Sequence, residues 1–498
     1  MATTITQKPN LLSAVNTPMI YILKESSSTI YNGFKFRYVL KVEVNGTEKA
    51  VIKIHKNQQN VGVFDISHIL KTYVSTQLTN LNNESYSIHS VGIQETAKPF
   101  SQNDGQCTKV EVKAFYEVAT SATTAPVLSS QQAAATSYYI PATTPFTKTA
   151  SNVGGLDIIN VADSSFNNFP LTYFMNSVSD EDNHSFLTNA PTVQFVRGSS
   201  TSADNLDQLT ICFKQGGGSS LITQGDKIDY IAIEYFDSTD TVIAGTTGSS
   251  NIHFFVNENA NGGANATQST DVKQAILYFG CGTKNIETQT DDVLDSSEAS
   301  VSGANARPSN FSNWAYYRIY GASKSNPSFR TTKYYYFYRY GASRTGIDDR
   351  HQSCTRYDNI RLAWRNRLGA WDYMNFRGKS TKTLSIENND MESVAGNWDT
   401  ATENTFNYNN WDRGKKTLFK TATRKIQINS DLLNEDEAVW LEELFTSDNV
   451  QILDDDYTII YPVVITDKAY TTKTSVNDKV QIQYTINLEY ANKVRTNS

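Results

Sequence analysis

The sequence predicts a mainly β, multidomain protein, with antiparallel β-sandwich domains and a C-terminal α+β module in which one helix packs on a sheet. Three observations carry that prediction. In VQIQYTINLEY, Val480, Ile482, Tyr484, Ile486, Leu488 and Tyr490 alternate with Gln481, Gln483, Thr485, Asn487 and Glu489. A strict period of two builds one buried face of a strand and cannot build a helical stripe. Near the other end, GFKFRYVLKVEVNG and KAVIKIH flank an Asn45-Gly46 pair, a strong hairpin signal. The composition adds 28 Tyr and 23 Phe against only 5 Met, which suits pleated, half-buried surfaces.

A chain of 498 residues exceeds one ordinary core, so several domains are expected. Residues 1–120 read as an N-terminal β domain with one short helix. In its hairpin Phe34, Phe36, Tyr38, Leu40, Val42 and Val44 face inward, answered by Ala50, Ile52 and Ile54. FDISHILKTY, 64–73, reads as the helix, capped by Asp65 or Ser67, with Ile66, Ile69, Leu70 and Tyr73 on one face. TKVEVKAFYEV, 108–118, closes the domain as a strand. Residues 121–155, rich in Ala, Ser and Thr, read as an extended connector on which Tyr138, Tyr139 and Ile140 could still dock.

Residues 156–350 read as a middle β-sandwich domain. Its strand candidates are 209–214, 227–236, 251–256, 275–279, 314–320 and 333–340, separated by Gly- and Asn-rich punctuation. YRIYGAS (317–323) and YRYGAS (338–343) mark two related strand–turn units. Residues 351–498 read as the C-terminal α+β assembly domain. LLNEDEAVWLEELFTS is its helix, with Asn434 and Glu437 spaced as a capping box and Trp440, Leu441, Leu444 and Phe445 on the apolar side. The strands 457–466 and 480–490 supply the sheet beneath.

Net charge is −7, which argues against a phosphate-tracking surface, so no direct nucleic-acid binding is expected. The cationic stretch from Arg318 to Arg377 reads as strand flanks and ion pairs. Cys107, Cys212, Cys281 and Cys354 lie far apart, without zinc-finger spacing. With no apolar leader after Met1, they are expected to stay reduced in a cytoplasm. No stretch has the ~20 apolar residues of a membrane span.

The candidates for chemistry are thin. Asp454, Asp455 and Asp456 lack the remaining ligands of a calcium loop and read as a hairpin tip. Asp348, Asp349, His351 and Cys354 lack a nucleophile elbow or a positioned glycine loop. Gly280-Cys281-Gly282 reads as a strand-ending turn with no helix pattern after it. Paired carboxylates for sugar cleavage would be set by the fold, and Trp364, Trp371, Trp398 and Trp411 read either as packing or as a glycan groove. No catalytic, cofactor-binding or metal residues are expected. The residues singled out are packing anchors: Trp364, Trp371, Trp440, Phe445, Tyr484 and Tyr490.

Two sets of segments look familiar. FDISHILKTYV after GFKFRYVLKVEVNG resembles the N-terminal part of virion structural proteins from tailed bacteriophages, particularly the crAss-like and other Bacteroidetes-infecting groups. IRLAWRNRLGAWDYMNF, DEAVWLEELFTS, VVITDKAY and QYTINLEYANK resemble the C-terminal part of the same proteins, with an organisation similar to distal-tail or baseplate adaptors. The likeness covers the two ends of the chain and supplies packing motifs rather than a site. It implies a protein made in the host bacterial cytoplasm and built into the virion tail. Its implied partners are copies of itself in a ring and other tail or connector proteins. A receptor- or glycan-binding tail protein, using the middle domain on a host-surface glycan, is the alternative. A polysaccharide-degrading enzyme is the third.

Overall fold

The computed structural model of the chain describes residues 3–9, 12–16, 18–74, 78–79, 85–91, 100–102, 108–142, 186–198, 206–214, 230–243, 252–256, 276–287, 313–323, 326–330, 332–342, 356–394, 396–399, 405–407, 411, 414–454, 459–471, 482–492 and 494–497. It is mainly β, built from several mostly antiparallel sheets, with one longer helix beside strands near the C-terminus. The chain forms two compact units: Met1–Asp348 with Arg365–Asp372, and Asp349–Trp364 with Tyr373–Ser498.

The first unit begins with two facing sheets. One has three strands, in the order Thr4–Gln7, Ile20–Lys24, Val61–Asp65. The other runs Leu12–Ala14, Ala133–Ile140, Thr108–Ala119, Phe34–Val44, Thr47–Ile54, with Val127–Leu128 added to Thr108–Ala119. Asn45 and Gly46 both take positive φ, 49° and 79°, which is what a two-residue turn matching strand twist requires. Tyr38, Leu40, Val42, Val44, Val110 and Val112 fill one core with Tyr21 and Phe64 of the smaller sheet. The Tyr21 and Tyr139 hydroxyls meet across it at 2.8 Å, so both buried phenols are satisfied.

Several local expectations are corrected here. Phe34 does not face inward but is 54% exposed, because the next residue, Lys35, takes φ 56° and breaks the alternation. Phe64 belongs to a strand, and the helix is only Ser67–Leu70. Asp65 still organises its start by accepting from Ser67 N–H at 2.9 Å and Met19 N–H at 3.2 Å. Within the stretch read as connector, Ala133–Ile140 is an internal strand, antiparallel to Thr108–Ala119 and parallel to Leu12–Ala14. Tyr139 and Ile140 are fully buried in it.

The rest of the first unit holds a sheet ordered Val193–Val196, Tyr335–Arg339, Tyr316–Ser323, Tyr230–Phe236, His253–Val256, with Asn326–Arg330 beside Tyr316–Ser323. A second sheet joins Thr210–Lys214, Ile276–Gly280 and Phe100–Gln102. Each candidate strand of the middle block has a counterpart among these. Contrary to expectation a helix, Thr283–Glu287, follows Gly280-Cys281-Gly282 directly. A Cβ at Gly282 would lie 2.4 Å from Asp207 O and Leu209 N, so the glycine permits that tight entry.

The second unit is built around an eight-stranded sheet, of which Arg365, Trp371 and Asp372 are counted with the first unit, together with one helix and the short pair Asn397–Asp399 and Thr405–Asn407. The order in the sheet is Trp371–Phe376, Ile360–Arg365, Val450–Leu453, Ile460–Ile465, Thr485–Tyr490, Lys415–Asn429, Thr381–Glu392, with Val494–Asn497 beside Lys415–Asn429. Ile482, Tyr484, Ile486 and Leu488 are all buried, as their alternation demands, while Val480 lies outside the described residues. The helix Glu435–Thr446 carries the expected capping box: Asn434 Oδ1 accepts from Glu437 N–H at 2.7 Å, and Glu437 Oε2 from Asn434 N–H at 2.8 Å.

Candidate functional site

The aromatic anchors fall into four groups. Trp364, fully buried on Ile360–Arg365, meets Trp440 of the helix with ring centroids 4.9 Å apart. Phe445 and Tyr484 are joined through a third ring. Tyr470 bridges them, with ring centroids 4.5 and 5.0 Å away, and its hydroxyl donates to Ala438 O of the helix. Burial raises the Tyr470 phenol well above its ordinary range, reinforced by Tyr484. Tyr490, half-buried, packs edge-on against Tyr461 at 5.7 Å, and burial raises its phenol too. Trp371 belongs to the first unit, edge-on to His89 at 4.8 Å. Tyr470 was missed from the sequence, because VVITDKAY carries no alternation that marks it as packed.

Beyond this core the sheet runs out into solvent. Thr381–Glu392 pairs with Lys415–Asn429 over its whole length, and all of its twelve residues except Ser385 are exposed. Directly paired residues share a face. Ile428 pairs with Ile486, Ile426 with Leu488 and Lys382, Arg424 with Leu384, and Ala422 with Ile386. The face that is buried core at Ile426 and Ile428 therefore continues outward through Leu384 and Ile386, exposed at 54% and 55%. Where the ribbon leaves the sheet, a cleft of about 750 Å³ is lined by Leu384, Tyr461 and Tyr490, with Lys382, Arg424 and Asp358 at its margin. Past the ribbon's far end, Val394, Phe406 and Trp411 are exposed as well, Trp411 at 78%. Trp398 lies on the short strand Asn397–Asp399 of the same excursion.

The best-organised polar cluster lies in the first unit. Asn285 donates through Nδ2 to His89 O and Val91 O at 3.0 and 2.7 Å, and its Oδ1 accepts from Leu209 N–H at 2.9 Å. Asp207, fully buried, holds Arg197 Nε at 2.7 Å and Arg197 N–H at 2.7 Å. These bonds use the groups to join distant stretches of backbone, which is structural work. Similarly, Asn366 Nδ2 donates to Leu187 O and Asp372 Oδ1, and Thr188 Oγ1 to the same carboxylate oxygen. Burial pushes the Cys212 thiol far above its usual value, the reverse of an activated nucleophile.

Three arginines of the cationic stretch are drawn into packing. Arg318 pairs with Glu234 and lies over Tyr334, Arg377 pairs with Asp431 at 2.8 Å, and Arg361 lies over Tyr373. Asp454 sits at the end of Val450–Leu453, its N–H donating to Ile459 O as in a hairpin tip. Asp348, Asp349, His351, Cys354, Asp455, Asp456 and Cys107 lie outside the described residues. Among the described residues no cluster of three or more His, Cys, Asp or Glu could hold a metal ion. Among the described residues no helix is long and apolar enough to cross a membrane. Comparison with protein-family models gives no match, and comparison with curated proteins gives none either.

Proposed function

We propose that this protein is a structural component of a tailed bacteriophage virion, forming part of the tail, baseplate or head–tail junction as a ring of identical copies, without enzymatic activity. The observation that carries this reading is the ribbon of the second unit. It prolongs an apolar core face into solvent and ends near an exposed tryptophan. Exposed apolar surface of this kind marks contact with another macromolecule. A ring requires each copy to offer two different surfaces that meet head to tail. The segments whose likeness points to phage tail proteins are also the ones that pack: the N-terminal hairpin, the capped helix and the strand bearing Tyr484 and Ile486. The partners are then copies of the chain and neighbouring tail or connector proteins, assembled after synthesis in the host cytoplasm.

Antibody labelling of intact particles, read by electron microscopy, tests the reading. Label confined to the tail or neck of the particle is expected. A protein found only in the infected cell and never in particles would overturn it.

A second reading, glycan binding by the middle region, is favoured by one sheet face. There Tyr334, Tyr336 and Tyr338 are half-buried beside Tyr316 and Arg318. These rings pack against one another, mostly at a tilt, with Tyr316 and Tyr338 centroids 4.8 Å apart, which leaves few ring faces for a sugar. Glycan-array binding by the full chain that Tyr336→Ala abolishes would promote this reading.

A further inference from the structure

The exposed ribbon differs from its surroundings in charge as well as in shape. Six basic side chains on it are exposed (Lys382, Lys415, Lys416, Lys420, Arg424 and Lys425) against three exposed acidic ones, Glu387, Asp390 and Glu392. The chain as a whole carries −7, so this strip is a local reversal of sign, even though Lys382, Lys415 and Lys425 lie 3.7, 3.2 and 3.6 Å from Asp358, Asp390 and Glu489. The outer side of the helix Glu435–Thr446 has the opposite character. Glu435, Asp436 and Glu442 lie on it with Val439, which is 57% exposed, and the helix holds no basic residue. Positions 435, 439 and 442 follow one another at i, i+4 and i+7, so acid, apolar and acid groups share one stripe. The inner side of the helix is used up by Trp440, Leu441 and Leu444.

We propose that the ribbon of one copy docks across the acidic outer stripe of this helix in a second copy, head to tail. Leu384 and Ile386 would meet Val439, while Lys420 and Arg424, which pair with Asn388 and Leu384 on the same face, would face Asp436 and Glu442. The inference rests on the ring reading above and names the two surfaces that close the ring. The two surfaces are different, so the contact is heterologous and repeats around a circle instead of stopping at a pair. The strand pair, twelve residues long and flanked over part of its length by Val494–Asn497, offers a face of roughly 40 by 10 Å. That is about half of the ~800 Å² per partner in a stable interface, so the distal residues Val394, Phe406 and Trp411 are needed to complete it. Complementary charge would set the register and speed the encounter.

The test measures the molar mass of the full chain by light scattering and native mass spectrometry. A ribbon set (Lys420→Glu, Arg424→Glu) and a helix set (Asp436→Lys, Glu442→Lys) are each expected to lose the oligomer while keeping the parental circular dichroism. A chain carrying both sets restores opposite charge and is expected to recover it. An oligomer that persists in both single sets, or that fails to return in the combined chain, overturns the docking and leaves the ring reading standing. A parental chain that is monomeric at every concentration overturns the ring reading itself. In the parental chain, raising ionic strength from about 0.05 M to about 0.5 M should weaken association, and an oligomer indifferent to salt would count against the charge pairing.

Discussion

Trp440 shows how a single side chain joins the helix to the sheet. It is 6% exposed and leans on the fully buried Trp364. Trp440→Ala should cost about 3 to 5 kcal/mol in denaturant unfolding, and a loss below about 1 kcal/mol would reject this docking. Asp65 gives a second test at this scale. Burial opposes its ionisation, but hydrogen bonds from Ser67 and Met19 and the nearby His68 outweigh it and hold the carboxyl below its usual value. A depressed carboxylate stabilises the fold above its unfolded pKa, and that contribution is lost as pH falls through the folded value. The stability gap between the parent and Asp65→Asn should therefore narrow from pH 7 to pH 3, and an unchanged gap would contradict the assignment. The buried aromatics were legible because they sit in alternating or helical patterns. Tyr470 and Asn285 were not, since Asn285 reaches backbone nearly two hundred positions away, at His89 and Val91.

Among the elements, those with a local rule were the most readable. The Asn45-Gly46 hairpin needs positive φ at two positions, and the 435–446 helix has a reciprocal cap. Asn434→Ala removes the acceptor for Glu437 N–H and should cost about 1 kcal/mol in urea unfolding; a variant indistinguishable from the parent would show the box to be idle. Elements held by tertiary contact were harder to read. Ser67–Leu70 and Thr283–Glu287 are single turns, too short to stand on propensity. They exist because Asp65, Gly282 and Asn285 fix the backbone around them. Ala133–Ile140 reads as polar linker because its stability comes from strands on both sides, not from an apolar pattern of its own. The exposed ribbon was hidden for a related reason: Thr381–Glu392 alternates too weakly to read as a core strand, yet pairs throughout its length.

For the whole molecule, sequence blocks and compact units answer to different physics. Composition marks changes along the chain, whereas strand pairing ignores distance. Phe100–Gln102 joins a sheet with Ile276–Gly280, and Arg365–Asp372 belongs with the first unit although the residues on either side belong to the second. Mainly β architecture was legible from alternation and aromatic content alone; which surfaces are left over after folding was not. The central claim is that those surfaces are spent on copies of the same chain. The most direct measurement is the solution mass of the 498-residue chain, followed by imaging of the same sample. A closed ring with a mass that is a whole multiple of 55.6 kDa is predicted. A single 55.6 kDa species at all concentrations, with no ring in the images, would contradict it.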